Sequence, residues 1–293
     1  MNGDSRAVDG DSQAVNGDRR AVDDDRRAVT YDDIDTEATW NLLRDTHPVI
    51  APLSDGSVDR VLRLARLEPG ARVLDVGCGL GAWLLRALEL HPEATGHGID
   101  ACASHVEAAA AAAGGRGLNG RATFEAADAL RFAPGERYDL VLCVGLSDAF
   151  GGLRDNLACL RRLVRPDGLV LIGEPFWERE PPEAALKALE LPRQAFTDLP
   201  TTVERVAAAG WLPVHGHVST VQEWDDFLWA CVSGLTRWGV TAGGHDGREI
   251  LRYAADYREA WWRGYREVMG FVTMLLRPLP PWAASLAARP TRW

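Results

Sequence analysis

The chain has 293 residues, a formal net charge of −10, 46% hydrophobic residues and 25% charged residues. That length suits one large α/β domain with additions, or two small domains of about 150 residues, and the composition is that of an ordinary globular chain. The acid excess argues against a nucleic-acid backbone as the main partner, because phosphate binding needs clustered Lys and Arg. No apolar run of about 20 residues is available to span a bilayer. The polar, acidic N-terminus has no apolar signal region. A cytoplasmic location is expected, with a small-molecule or protein substrate, no nucleic acid and no membrane; the oligomeric state is not set by the sequence.

Residues 1–29 form a tandem heptad, NGDSRAV, DGDSQAV, NGDRRAV and DDDRRAV. Each repeat offers one Ala-Val pair among Gly, Asp and Arg, so no coiled-coil seam results and a disordered tail is expected. Residues 30–68 read as an N-terminal helical cap in two pieces, Ile34–Arg44 and Ser57–Leu67, broken by the prolines of THPVIAPLSDGS. From residue 72 strand and helix patterns alternate. Strands are expected at Arg72–Val76, Ala94–Ile99, Ala122–Glu125, Tyr138–Val144, Leu169–Gly173 and Trp211–Ser219. Helices are expected at Ala82–Leu90, Ser104–Ala113, Asn156–Val164, Glu183–Leu191 and Thr201–Ala209. Such repeated βα units predict a Rossmann-like, mostly parallel sheet with helices on both faces over residues 69–220.

Residues 221–268 are a helical, aromatic-rich insertion, and 269–293 hold a last strand, Phe271–Arg277, with a proline-rich tail; that strand gives seven in all, one of them antiparallel. Tyr253, Tyr257, Trp261 and Tyr265 recur every fourth residue, which puts them on one face of a helix. The stripe reads first as packing against the sheet, with the roof of a substrate pocket as the alternative. Rings there would suit an apolar or cationic acceptor.

The five cysteines, Cys78, Cys102, Cys143, Cys159 and Cys231, form no CxxC pair, and no ligand-spaced His or carboxylate cluster argues for a metal. Cys78 lies inside a glycine turn, Gly77, Gly79 and Gly81, between the first strand and its helix. Glycines there permit positive φ and close approach of a ligand to the helix N-terminus. Gly77-x-Gly79-x-x-Ala82, with Asp100 downstream, satisfies a dinucleotide fingerprint, so NAD and an oxidoreductase are one reading. Asp75, two residues before the first glycine, favours another: a carboxylate aimed into the turn would repel a pyrophosphate but accept the ammonium and sulfonium of S-adenosylmethionine.

VLDVGCGLGAW (73–83) resembles the first motif of class I S-adenosylmethionine-dependent methyltransferases. GID (98–100), EAADALRF (125–132), YDLVLCVG (138–145) and LRRLVRPDGLVLIGEPFW (160–177) follow in that family's order. HPVIAPLS (47–54) and GEPFW (173–177) are similar to a bacterial subgroup of small methyltransferases. The resemblance implies that Asp100 accepts the ribose hydroxyls with Ala101 beside it. It implies that Asp128 meets the adenine amino group with Ala129 and Leu130. Asp75, Gly77, Cys78 and Gly79 would surround the methionyl end, and Val144, Gly145 and Ser147 would lie near the sulfonium. The expected activity is methyl transfer to a small-molecule acceptor, in which His47, Tyr31, Asp148 and Glu174 are the candidates for removing a proton. A non-catalytic S-adenosylmethionine-binding scaffold is the remaining alternative, as is a reaction of that cofactor other than methylation.

Overall fold

In the computed structural model the described residues are 42, 43 and 46–286, with backbone alone at 284–286. The heptad region 1–29, Tyr31 and most of the predicted helix Ile34–Arg44 lie outside them. Helix α1, Asp55–Leu64, begins where the Ser54 side chain accepts the Ser57 N–H, and Asp55 adds a negative charge to its first turn. That cap moves the helix two residues ahead of the predicted start.

The strand and helix alternation then follows: β1 Arg72–Val76, α2 Ala82–Leu90, β2 Thr95–Asp100, α3 Ala103–Gly115, β3 Ala122–Ala126, β4 Tyr138–Val144, α4 Leu153–Leu163 and β5 Val164–Trp177. After these come α5 Glu183–Leu189, α6 Leu199–Ala208, β6 Trp211–Val218, the long helices α7 Val221–Ala242 and α8 Gly244–Glu259, and β7 Met269–Pro278. The seven strands form one sheet in the order β3-β2-β1-β4-β5-β7-β6, and β7 runs antiparallel to both its neighbours. The order reverses between β1 and β4, which is where a doubly wound sheet opens a crevice beyond its carboxyl ends.

Strand alternation sorts the core into two layers. Val73, Leu140 and Leu142 pack with Val61 and Leu62 of α1 and with Leu84, Leu85 and Leu88 of α2. Leu74, Val141 and Ile172 pack on the other side with Leu157 and Leu160 of α4 and Val206 of α6. Strand β5 is longer than its local pattern predicts. Val164 pairs with Tyr138, and Glu174 to Trp177 continue against Val272 to Met269, so the partner strands set its length. It is buried over most of that run, which erases the alternation.

The insertion is an antiparallel helix pair that ends in a π-helical turn, Ala260–Tyr265. A capping box opens α7: Thr220 accepts the Glu223 N–H, and Glu223 accepts the Thr220 N–H. The aromatic stripe divides between two tasks. Trp261 is buried and stacks on Trp224 with centroids 5.3 Å apart, and Trp224 meets Phe271 of β7 edge-on at 6.4 Å, so the insertion does pack on the sheet. Asp225 fastens the π turn by accepting from Trp261 Nε1 (2.8 Å) and from Arg266 Nε (3.0 Å) and Nη2 (2.9 Å). Tyr257 and Tyr265, by contrast, face a cavity.

Candidate active site

At the switch point the turn after β1 has φ of +68° at Gly77, +49° at Gly79 and +79° at Gly81, values that L side chains adopt only with strain. The Gly77 and Cys78 N–H groups donate to the Ile99 carbonyl (2.8 and 2.9 Å), which ties the turn to the end of β2. Asp100 completes that tie. Its Oδ2 accepts the Gly79 N–H at 2.8 Å, and its Oδ1 accepts the Cys102 N–H at 2.9 Å with His105 Nδ1 at 3.5 Å. One carboxylate therefore clamps the glycine turn and ties it to the Cys102 amide just ahead of α3. Ala101 follows in an exposed bend.

Space lies in front of this backbone. A Cβ added at Gly79 or at Gly145 would meet nothing within 4 Å, whereas one at Gly77 would run into Leu146 at 2.6 Å. Asp75 is buried beneath the turn, and its Oδ2 has no partner among the described residues. Burial pushes its pKa up to about 7; the Leu84 N–H works against that rise, and nearby Asp100 adds to it. Burial and the charges of Asp75 and Asp100 push the Cys78 thiol up as well, so it is an inert packing group rather than a nucleophile.

Asp128 behaves differently. It is exposed, and its Oδ1 accepts the Leu130 N–H (2.9 Å), closing its own turn. It lines a separate open cleft with His97 and Tyr138. Leu130 is 54% exposed, while Ala129 packs toward the layer below the sheet. The expected adenine contact thus has its loop in place after β3, but the carboxylate turns back on that loop.

A second cavity, of about 520 Å³, opens beside the carboxyl ends of β4 and β5. Gly145, Ser147, Asp148 and Glu174 line its polar side, and Phe196, Trp224, Phe227, Tyr257, Tyr265 and Phe271 its apolar side. Val144, the last residue of β4, leads into Gly145, whose N–H donates to the Gly173 carbonyl at 3.1 Å. Glu174 is 6% exposed. Burial pushes its carboxyl up to about 7; the Ser147 hydroxyl, which donates to Glu174 Oε1, opposes the rise, and the charge of Asp148 adds to it. Asn156 Nδ2 in turn donates to Ser147 Oγ at 2.9 Å. A fixed hydroxyl thus orients a carboxylate whose proton affinity suits proton exchange near neutral pH.

Of the four candidate bases, Glu174 and Asp148 share this cavity. His47 stands beside the cavity: its Nε2 lies 2.8 Å from the Ala51 carbonyl and its ring packs edge-on against Phe227, both residues of the cavity wall. Tyr31 lies outside the described residues. Sequence reasoning missed Asn156, Phe196 and the cavity wall at Ile50, Ala51 and Pro52. Asn156 left a signal, being a polar residue in the apolar stripe of Leu153, Leu157 and Leu160.

A glycine turn clamped by the acid that ends β2, on a seven-stranded sheet with β7 reversed, is the architecture of class I S-adenosylmethionine-dependent methyltransferases, and the similarities of this chain are to methyltransferases. Residues 73–168 match the methyltransferase domain family. The Escherichia coli (strain K12) protein YjhP is 28% identical over 207 residues, 70% of this chain and 83% of that protein. Nocamycin O-methyltransferase of Saccharothrix syringae is 38% identical over 118 residues, 40% of this chain and 42% of its own length. The crystal structure of an S-adenosylmethionine-dependent methyltransferase from Thiobacillus denitrificans in complex with S-adenosylhomocysteine matches with a TM-score of 0.76 at 27% identity, covering 84% of this chain and 100% of that one. The glycines are thus those of a methyltransferase, and the dinucleotide reading of them falls away.

The residues present fit S-adenosylmethionine. Open space before Gly79 and Gly145 leaves room for a ligand against bare backbone, and the unpartnered Asp75 oxygen is an acceptor beneath the turn that a cationic cofactor would draw into its charged form and a diphosphate would not.

Proposed function

We propose that this enzyme methylates a small organic molecule seated in the 520 Å³ cavity, with Glu174 taking the proton that the acceptor loses. The observation that carries the reading is a buried carboxylate with a pKa of about 7 on the wall of a cavity otherwise dominated by aromatic and aliphatic side chains. A cavity of that size, walled by Ile50 to Pro52 on one side and by the insertion on another, suits a metabolite better than a polypeptide or nucleic-acid strand.

Bound S-adenosylmethionine supplies a methyl group already activated on a sulfonium. Asp100, Ala101, Gly77, Cys78 and Gly79 would hold the nucleoside and methionyl parts, with Asp75 beneath, and Val144, Gly145 and Ser147 would border the reacting end. Asp128, Ala129 and Leu130 would meet the base through their loop. The aromatic wall excludes water and aligns the acceptor, which is most of what this displacement needs. Ser147 and Asn156 fix the orientation of Glu174, and Asp148 keeps its proton affinity high. Among the described residues no helix is long and apolar enough to cross a membrane. The test is label transfer from methyl-labelled cofactor into a cell extract split at about 1 kDa. The label should enter the small-molecule fraction, and labelling of the macromolecular fraction alone would refute the reading.

A further inference from the structure

The geometry points to an organic cation, an amine carried on an apolar or aromatic body, as the acceptor, so that nitrogen is the atom methylated. This rests on the small-acceptor reading and deepens it. Among the described residues that line the cavity, the charged side chains are Asp148 and Glu174, with no Lys, Arg or His. Arg154 and Arg205 line a different cleft that meets the cavity at Gly152 and Leu153. An anionic substrate would set its charge against two carboxyl groups with no cationic side chain on the wall to offset it, whereas a cation would be favoured by both.

The remaining wall favours the same charge. Trp224, Phe227, Tyr257, Tyr265, Phe196 and Phe271 supply aromatic rings, whose π systems attract an ammonium when water is excluded. The tyrosines add no charge of their own: burial pushes both phenols up, and the Tyr257 hydroxyl donates to Cys231 Sγ at 3.9 Å. The groups that interact with Glu174 are Asp148 from the turn after β4, the Ser147 hydroxyl and the neutral thiol of Cys143 on β4, and the two neutral phenols line the same cavity.

The step balances on these groups. The substrate ammonium gives an N–H proton to the Glu174 carboxylate. The freed nitrogen lone pair forms the new N–C bond as the methyl–sulfur bond breaks, and that bonding pair stays on sulfur. The products are a methylated ammonium ion and neutral S-adenosylhomocysteine.

The experiment titrates the full-length chain, saturated with S-adenosylhomocysteine, with 2-phenylethylammonium, 2-phenylethanol and phenylacetate in a calorimeter. These probes share a body and differ in charge. The cation should bind at least about tenfold more tightly than the alcohol, and the anion should not bind measurably. At about pH 7, Glu174 is half protonated, and a cation beside it lowers its pKa, so binding should release up to about half a proton, read from buffers of different ionisation heat. The double variant Asp148→Asn, Glu174→Gln should bring cation and alcohol within about twofold. An alcohol or anion that binds as tightly as the cation, no binding by any probe, or cation binding without proton release would overturn the inference. Failure of the small-acceptor reading shows separately, as label confined to macromolecules.

Discussion

Replacing Glu174 with Gln removes the proposed proton acceptor while keeping its shape and one oxygen for the Ser147 hydroxyl. A positioned base contributes about 10²- to 10⁴-fold, so kcat should fall by that factor with S-adenosylhomocysteine affinity unchanged. With a carboxyl pKa of about 7, wild-type activity should rise about tenfold per pH unit up to neutrality and level off above it, and the variant should lose that limb. Stability should move in the opposite direction. The native carboxyl holds its proton up to about pH 7 while the unfolded chain releases it near the ordinary glutamate value of 4.5. Wild-type stability therefore falls as pH rises between those values and is level above, at a cost of about 3 kcal/mol. Asp75 titrates over a similar window in both proteins, so the difference between wild type and variant isolates Glu174. Urea unfolding at about pH 5 and pH 8 should show the variant gaining relative to wild type at the higher pH. A variant with activity within about threefold of wild type and the same acid limb would refute the assignment.

The remaining predictions concern the frame around that site. Asp100→Ala should weaken S-adenosylhomocysteine binding by about 10- to 150-fold in calorimetry, because a bond to a charged acceptor is worth about 1.5 to 3 kcal/mol; unchanged affinity would leave Asp100 with its bonds to the Gly79 and Cys102 amides alone. Gly79→Ala meets no steric obstacle within 4 Å but sets a Cβ on a residue with φ of +49°. It should cost about 1 to 2 kcal/mol in stability and cut cofactor affinity at least about tenfold. Ser147→Ala removes the hydroxyl that favours the charged form of Glu174, so the acid limb of the pH profile should move up by about 1 unit. Glu223 is buried, yet the hydroxyls and amides of Ser57, Ser54 and Thr220 outweigh burial and hold its carboxyl down at about 2. Its stabilising contribution is present above the unfolded value and is lost as pH falls from about 4.5 toward 2. Glu223→Gln should therefore be less stable than wild type at neutral pH, with the gap closing in acid by thermal melts.

The nucleotide half was legible because its signals are local. RVLDV followed by spaced glycines dictates strand, positive-φ turn and helix, and β1 and α2 fall on the predicted residues. Elements whose extent depends on a partner were less legible: β5 runs on through Trp177 because β7 lies beside it. Asp100 stood out as the acid ending a strand, but its double service to Gly79 and Cys102 needs coordinates. The aromatic stripe was visible at four-residue spacing, yet spacing alone cannot divide it. The π turn and the Asp225–Arg266 clasp turn Trp261 into core and leave Tyr257 and Tyr265 on the cavity wall. The Ser147–Asn156 support of Glu174 joins residues from a loop, a helix and a strand, so no sequence window contains it.

The account stands most directly on what the bend after β1 binds. Titration of the full-length chain with S-adenosylhomocysteine and, separately, with NADH should give saturable one-to-one heat for the thioether nucleoside and none for the dinucleotide. Heat from NADH with none from S-adenosylhomocysteine would contradict it.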